Sequence, residues 1–114
     1  MFIYRKIIIR KTNEEMEVLK KFSFVDKEGK EIKCYKLDAN SEAKGIIQIS
    51  HGMTEYACRY DYFANKLSEQ GFIVYAHDHR GHGETAKSEE ERGYIADNEG
   101  FDILVENVKE LTDI

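Results

Sequence analysis

Proline is absent from all 114 residues, so no proline-rich linker divides the chain. Cysteine occurs only twice, at Cys34 and Cys58, without C-x-x-C spacing. That excludes a disulfide framework and a zinc knuckle, and two reduced thiols suit a cytoplasmic protein. No apolar run is long enough to cross a bilayer, so no transmembrane segment is expected. Met1 to Ile9 carries its charges, Arg5 and Lys6, in the middle and lacks a small-residue cleavage site, unlike a signal peptide. Repeats and low-complexity segments are missing too. So is a basic surplus. The formal net charge is -5, and Asp97 to Ile114, with six acidic side chains against Lys109, accounts for all of it. No basic face is left to neutralise phosphates, which argues against nucleic-acid binding.

What remains is a chain with room for one small domain and one core. It is 41% hydrophobic and 34% charged, a composition that folds. Gly45 to Gly83 organises it. An apolar run, Ile46 to Ser50, breaks at His51-Gly52-Met53. A helical pattern follows, then a second apolar run from Phe72 to Ala76, which breaks at His77-Asp78-His79-Arg80-Gly81-His82-Gly83. Strand, glycine-bearing loop, helix, strand, glycine-bearing loop is the pattern of a parallel α/β sheet. In such sheets chemistry sits in loops at the carboxyl ends of strands.

Before this stretch, Phe2 to Arg10 reads as a strand and Asn13 to Glu17 as a helical turn capped by Asn13. Residues 1–17 are set apart as an N-terminal extension, with the domain running from 18 to 114. Val18 to Val25 and Glu31 to Leu37 make an antiparallel hairpin about the polar turn at Asp26 to Lys30. Lysines on both faces of those strands suggest an exposed sheet edge. Tyr60, Phe63, Ala64 and Leu67 recur at helical spacing, and Gly71 sits at the position of a helix terminator. Glu84 to Arg92 reads as an exposed loop. Phe101, Leu104, Val105, Val108 and Leu111 form a second helical stripe, entered through Asp97 or Asn98. The fold class is therefore α/β: an antiparallel hairpin followed by parallel βαβα, interrupted because the last helix leads to no strand.

Two constellations carry chemistry. A strand ending in His51-Gly52-Met53 can aim backbone N–H groups at one spot, as the oxyanion of acyl transfer requires; a plain turn is the alternative. His77, Asp78, His79 and His82 are metal-ligand types, and a polar turn with its histidines bonded to backbone is the alternative. A nucleophile is missing. Serine catalysis in such a sheet needs a sharp G-x-S-x-G elbow. None of Ser23, Ser41, Ser50, Ser68 and Ser88 has it, and neither cysteine lies in such a setting. Ser50 and His51, as strand neighbours, point to opposite faces.

His51-Gly52-Met53-Thr54-Glu55-Tyr56 with Arg59-Tyr60, followed by Ala76-His77-Asp78-His79-Arg80-Gly81-His82-Gly83, resembles the N-terminal part of the α/β-hydrolase superfamily. The likeness is to its monoacylglycerol lipase and lysophospholipase-like serine hydrolases, and it covers roughly Val18 to Ile114. Tyr56 stands where that family usually has a second histidine, and Thr85 where serine is common. The resemblance implies that the N–H of Met53 is an oxyanion-hole donor, supported by His51, Gly52 and Glu55. It implies that Asp78, His79, Arg80, Gly81, His82 and Gly83 shape the site wall, with no metal and no cofactor. It places nucleophile, acid, histidine and lid beyond Ile114. The expected function is that of the N-terminal fragment of a lipid-ester hydrolase, inactive alone, whose uncovered sheet edge self-associates. The alternatives are a non-catalytic binding module, half of a split enzyme, or a histidine metal site.

Overall fold

The computed structural model describes residues 5–10 and 16–114, with side chains from Lys20 onward. One mixed sheet of five strands forms its centre, in the spatial order β1-β2-β3-β5-β4. The strands are β1 (Arg5–Arg10), β2 (Met16–Val25), β3 (Glu31–Leu37), β4 (Gly45–Ser50) and β5 (Phe72–His77). β1, β2 and β3 run antiparallel in sequence, and β3 is antiparallel to β5. β4 is parallel to β5, with Gly45 opposite Phe72 and Ser50 opposite His77. A parallel pair needs a crossover, supplied by a short 3₁₀ turn (Ala57–Tyr60) and helix α1 (Asp61–Glu69). Helix α2 (Gly100–Thr112) ends the chain.

At β3 and β5 both faces of the sheet are covered, so alternation along these strands separates two cores rather than core from solvent. Neighbouring Cys34 and Tyr35 are both buried for this reason. Tyr35, Leu37, Ile49, Val74 and Ala76 pack beneath Ala57, Tyr60, Ala64 and Leu67 on the α1 face. Phe22, Phe24, Ile32 and Cys34 pack with Tyr75 and Leu111 on the α2 face.

Several local expectations change. Of the strand expected over Phe2–Arg10, the first three residues lie outside the described set, and the remainder is β1. Asn13 to Glu15 of the expected helical turn also lie outside it, whereas Met16 and Glu17 belong to β2, so a boundary after residue 17 falls within that strand. The hairpin is not a sheet edge, because β1 flanks β2 and β5 flanks β3. Its lysines are tolerated by pairing instead: Lys20 and Lys36 with Asp38 at 3.1 and 3.3 Å, and Lys21 with Glu84 at 2.6 Å. Their aliphatic stems can lie along apolar surface while the ammonium stays solvated.

In α1, Phe63 is 52% exposed and Ser68 is buried in its stead. The Ser68 hydroxyl donates to the Asp38 carbonyl at 2.7 Å, which sets the rotation of the helix on the sheet. In α2, Phe101 is 77% exposed and Val105 half-exposed, while Asn107 and Leu111 are the buried residues. The helix starts after Glu99, whose φ is +55°, not after Asp97 or Asn98; Asp97 instead accepts a bond from the Tyr94 hydroxyl at 2.8 Å. Within the loop expected to be exposed, Thr85 and Ala86 are buried, and Glu89–Glu91 form a 3₁₀ turn.

Candidate functional site

Because β4 and β5 are parallel and in register to their last residues, both following loops emerge at one sheet end. Residues 51–56 and 78–86 therefore meet, and three imidazoles join them. The backbone N–H of His79 donates to His51 Nε2 at 3.0 Å, so the His51 proton sits on Nδ1 and is donated to the Gly52 carbonyl at 2.7 Å. His79 Nε2 donates to the His51 carbonyl at 3.1 Å. His82 Nδ1 donates to the Arg80 carbonyl at 2.8 Å, leaving Nε2 to accept the N–H of Thr54 at 3.3 Å. The hydrogen bonds thus assign each ring its donor and its acceptor nitrogen where both are bonded, in His51 and His82, and the donor nitrogen in His79. Burial pushes His51 below the usual imidazole range, His79 down to about 4 and fully buried His77 down to about 3.

These bonds engage both ring nitrogens of His51 and His82 and Nε2 of His79, whereas His79 Nδ1 and both nitrogens of His77 have no hydrogen-bond partner among the described residues. Among the described residues no group of three or more His, Cys, Asp or Glu side chains is arranged to hold an ion. The N–H groups of Gly52 and Met53, by contrast, make no hydrogen bond among the described residues. Met53 itself is 84% exposed. Glu55 folds back beside Gly52: a Cβ at that glycine would lie 2.7 Å from Glu55 Oε2. Its other oxygen accepts from the Tyr60 hydroxyl at 2.7 Å.

The expected wall residues divide between two tasks. His79 and His82 face the 51–54 loop. Asp78 does not: it is buried, and its carboxylate accepts from Ala57 N–H at 2.7 Å, the Tyr35 hydroxyl at 2.6 Å and Glu84 N–H at 3.0 Å. One carboxylate thus ties together β3, the turn before α1 and the loop after β5. Thr85 completes the knot, donating to the Asp78 carbonyl at 2.8 Å and accepting from Lys33 N–H at 2.9 Å. Two glycines are required by close approach. A Cβ at Gly83, whose φ is +50°, would sit 2.4 Å from Asp78 Cγ, and one at Gly81 would sit 2.6 Å from the Tyr94 carbonyl oxygen.

Arg80 points away from the imidazoles. Its guanidinium grips Asp26 Oδ2 in the β2–β3 turn at 2.8 and 3.0 Å, where Asn107 of α2 also donates at 3.0 Å. Burial raises the Asp26 pKa, but bonds from the Lys30 N–H, Arg80 and Asn107 outweigh it and hold the carboxyl below its usual range. Tyr35 and Asn107 carry no local signal in the sequence, and Asp26 reads only as part of its turn; their partners Asp78, Asp26 and Arg80 lie 43, 81 and 54 residues away respectively. Neither thiol is a ready nucleophile. Burial raises Cys34 strongly and pushes Cys58 up to about 12.

Comparison with known proteins agrees with this architecture. The family described as serine aminopeptidase, S33, matches residues 41–114. Monoglyceride lipase of Mus musculus is 35% identical over 89 residues, which are 78% of this chain and 27% of that protein. The solved structure of a thermostable carboxyl esterase from Bacillus coagulans superposes with a TM-score of 0.60 at 31% identity, covering 83% of this chain and 33% of the esterase. Protein K6 of vaccinia virus is 45% identical over 40 residues, which are 35% of this chain and 49% of that protein. The chain spans about a quarter of the length of the monoglyceride lipases it matches. The strands and helices are the N-terminal part of an α/β-hydrolase fold with its sheet incomplete, as the motifs led us to expect.

Proposed function

The chain belongs to the serine aminopeptidase, S33, family, and from that membership we propose that it is the N-terminal portion of a serine ester hydrolase. The substrates proposed are monoacylglycerols, lysophospholipids or similar lipid esters, in line with the monoglyceride lipases among its relatives. The observation that carries this reading is the N–H of Met53 at the carboxyl end of β4, unpartnered among the described residues. It is a backbone donor free to meet a developing oxyanion, beside His51 and His82, whose ring nitrogens are all bonded to backbone groups. His51, Gly52 and Glu55 support that loop, and His79 and His82 wall it. No G-x-S-x-G serine is present, so the 114-residue chain alone hydrolyses nothing. Both cysteines are free thiols, which supports a cytoplasmic location.

The uncovered edge of β4 and the exposed side chains of Ile46, Phe101 and Val105 favour self-association of the chain, read by light scattering. A second reading has its own support. Protein K6 matches over nearly half its length with only 40 residues, so one relative is itself a short chain. On that reading the chain is a binding module or half of a split enzyme. Kinetics separate the two. In a protein that continues with the segments its longer relatives have, Met53→Pro removes the donor and lowers kcat by roughly 10²–10³. An unchanged kcat there would sink the oxyanion-hole reading. Turnover of a short-chain nitrophenyl ester by the 114-residue chain, lost in its Met53→Pro variant, would sink the claim that it is inactive alone.

A further inference from the structure

Residues Gly52 to Glu55 form a tight turn closed by Glu55 N–H donating to the Gly52 carbonyl at 3.3 Å. Met53 and Thr54 are its central residues. Thr54 has φ +62°, a conformation that a β-branched side chain rarely adopts. Positive φ at the third residue is the mark of the type II turn, where glycine is the usual occupant. A type I turn joins the same ends with negative φ throughout and differs mainly by a flip of the central peptide. For threonine that alternative is the relaxed one, so something must hold the strained form.

We propose that His82 holds it: its Nε2 captures the Thr54 N–H and thereby fixes which way the Met53–Thr54 peptide faces. The acceptor is prepared by the far side of the ring, since Nδ1 donates to the Arg80 carbonyl at 2.8 Å and leaves only Nε2 to receive the Thr54 N–H at 3.3 Å. Placement of the ring follows from the glycines on either side of it. Gly81 lies against the backbone of Tyr94 and Gly83 against the Asp78 carboxylate, so the 81–83 backbone has little freedom to shift. His79 anchors the other end of the same loop through its two bonds to His51, at 3.0 and 3.1 Å.

The consequence is electrostatic. A trans peptide carries its N–H and C=O in opposite directions. With the Thr54 N–H turned to His82, the Met53 carbonyl is turned away from it. A flip would exchange the two and put a partial negative charge where a partial positive one now stands, next to the Met53 N–H. His82 is in this sense a positioning residue, and its value to catalysis rests on the oxyanion-hole reading above; its hold on the peptide does not.

The test uses the 114-residue chain and nuclear magnetic resonance. His82→Ala should move the Thr54 Cα and Cβ shifts toward those of negative φ and speed exchange of the Thr54 amide roughly fivefold or more, the loss of about one hydrogen bond. The amides of Ala57 and Glu84, held by Asp78, should be unaffected. His82→Gln, whose carbonyl oxygen can reach the Nε2 position, should restore the wild-type shifts. Thr54→Gly should make the bracket dispensable: the glycine introduced there keeps positive φ whether or not His82→Ala is added. Unchanged Thr54 shifts and exchange in His82→Ala overturn the proposal, as does a turn that His82→Gln fails to restore in a folded chain. Should the bracket hold while Met53→Pro leaves kcat intact in the longer protein, the peptide lock stands and the oxyanion reading alone falls.

Discussion

Replacing Asp78 by asparagine tests the central joint of the site. The carboxylate receives three donors, Ala57 N–H, Glu84 N–H and the Tyr35 hydroxyl, at 2.7, 3.0 and 2.6 Å. Asparagine offers one oxygen and one NH₂. With the oxygen toward Tyr35 and Glu84, the NH₂ confronts Ala57 N–H; turned over, it confronts Glu84 N–H. The tyrosine hydroxyl can rotate to accept, but a backbone N–H cannot. One buried donor therefore stays unmatched in either orientation, costing about 1–3 kcal/mol, and the two bonds that remain lose their charge assistance, about 1 kcal/mol each. The sum expected is roughly 3–5 kcal/mol, a large share of the stability of a small domain. At a urea slope of about 1–2 kcal/mol per molar, the midpoint falls by about 2 M or more. Tyr35→Phe removes one donor and leaves both N–H groups matched, so its cost stays near 1.5–3 kcal/mol. The assay is urea unfolding followed by far-ultraviolet circular dichroism. If Asp78→Asn costs no more than Tyr35→Phe, the carboxylate does not hold the three segments and the account of the site fails.

Gly83→Ala should destabilise by more than about 2 kcal/mol, because its Cβ would lie 2.4 Å from Asp78 Cγ at φ +50°; a melting temperature equal to wild type would refute the close approach. Acid should weaken the fold through His77 and His79. Their folded pKa values, about 3 and about 4, lie below the unfolded value near 6.5, so the unfolded state binds protons first. Stability is full above about pH 6.5 and is lost as pH falls through the window down to about 4 for His79 and about 3 for His77. Unfolding titrations at about pH 7.5 and about pH 5 should differ in that direction, and a flat profile would contradict the buried neutral rings. Ile46→Lys on the edge strand, 66% exposed, should leave stability within about 0.5 kcal/mol and lower the associated fraction in light scattering. A light-scattering mass unchanged by the substitution would count against the proposed association through this edge.

Local chemistry made much of this protein legible in sequence. Apolar runs ending in glycine loops fix β4 and β5, because a buried strand must be apolar and its exit must turn sharply. The hairpin, the helix ending before Gly71 and the pair of loops that build the site follow from residues close to one another along the chain. The order of the motifs and their family resemblance carry the fold.

Tertiary structure alone decided what depends on distant partners. Helical spacing cannot tell which of two adjacent apolar residues faces the sheet. Ser68, bonded to Asp38, turns α1 so that Phe63 is exposed, and Asn107, bonded to Asp26, turns α2 so that Phe101 and Val105 are. Four of the six expected wall residues have partners that no local pattern announces. Asp78 and Arg80 are drawn into the interior by Tyr35 and Asp26, while Gly81 and Gly83 are there to let backbone and carboxylate approach. Sequence determines which residue types and which local turns are available. A buried charge, however, must be satisfied wherever a partner comes to lie, and only the assembled sheet sets those positions.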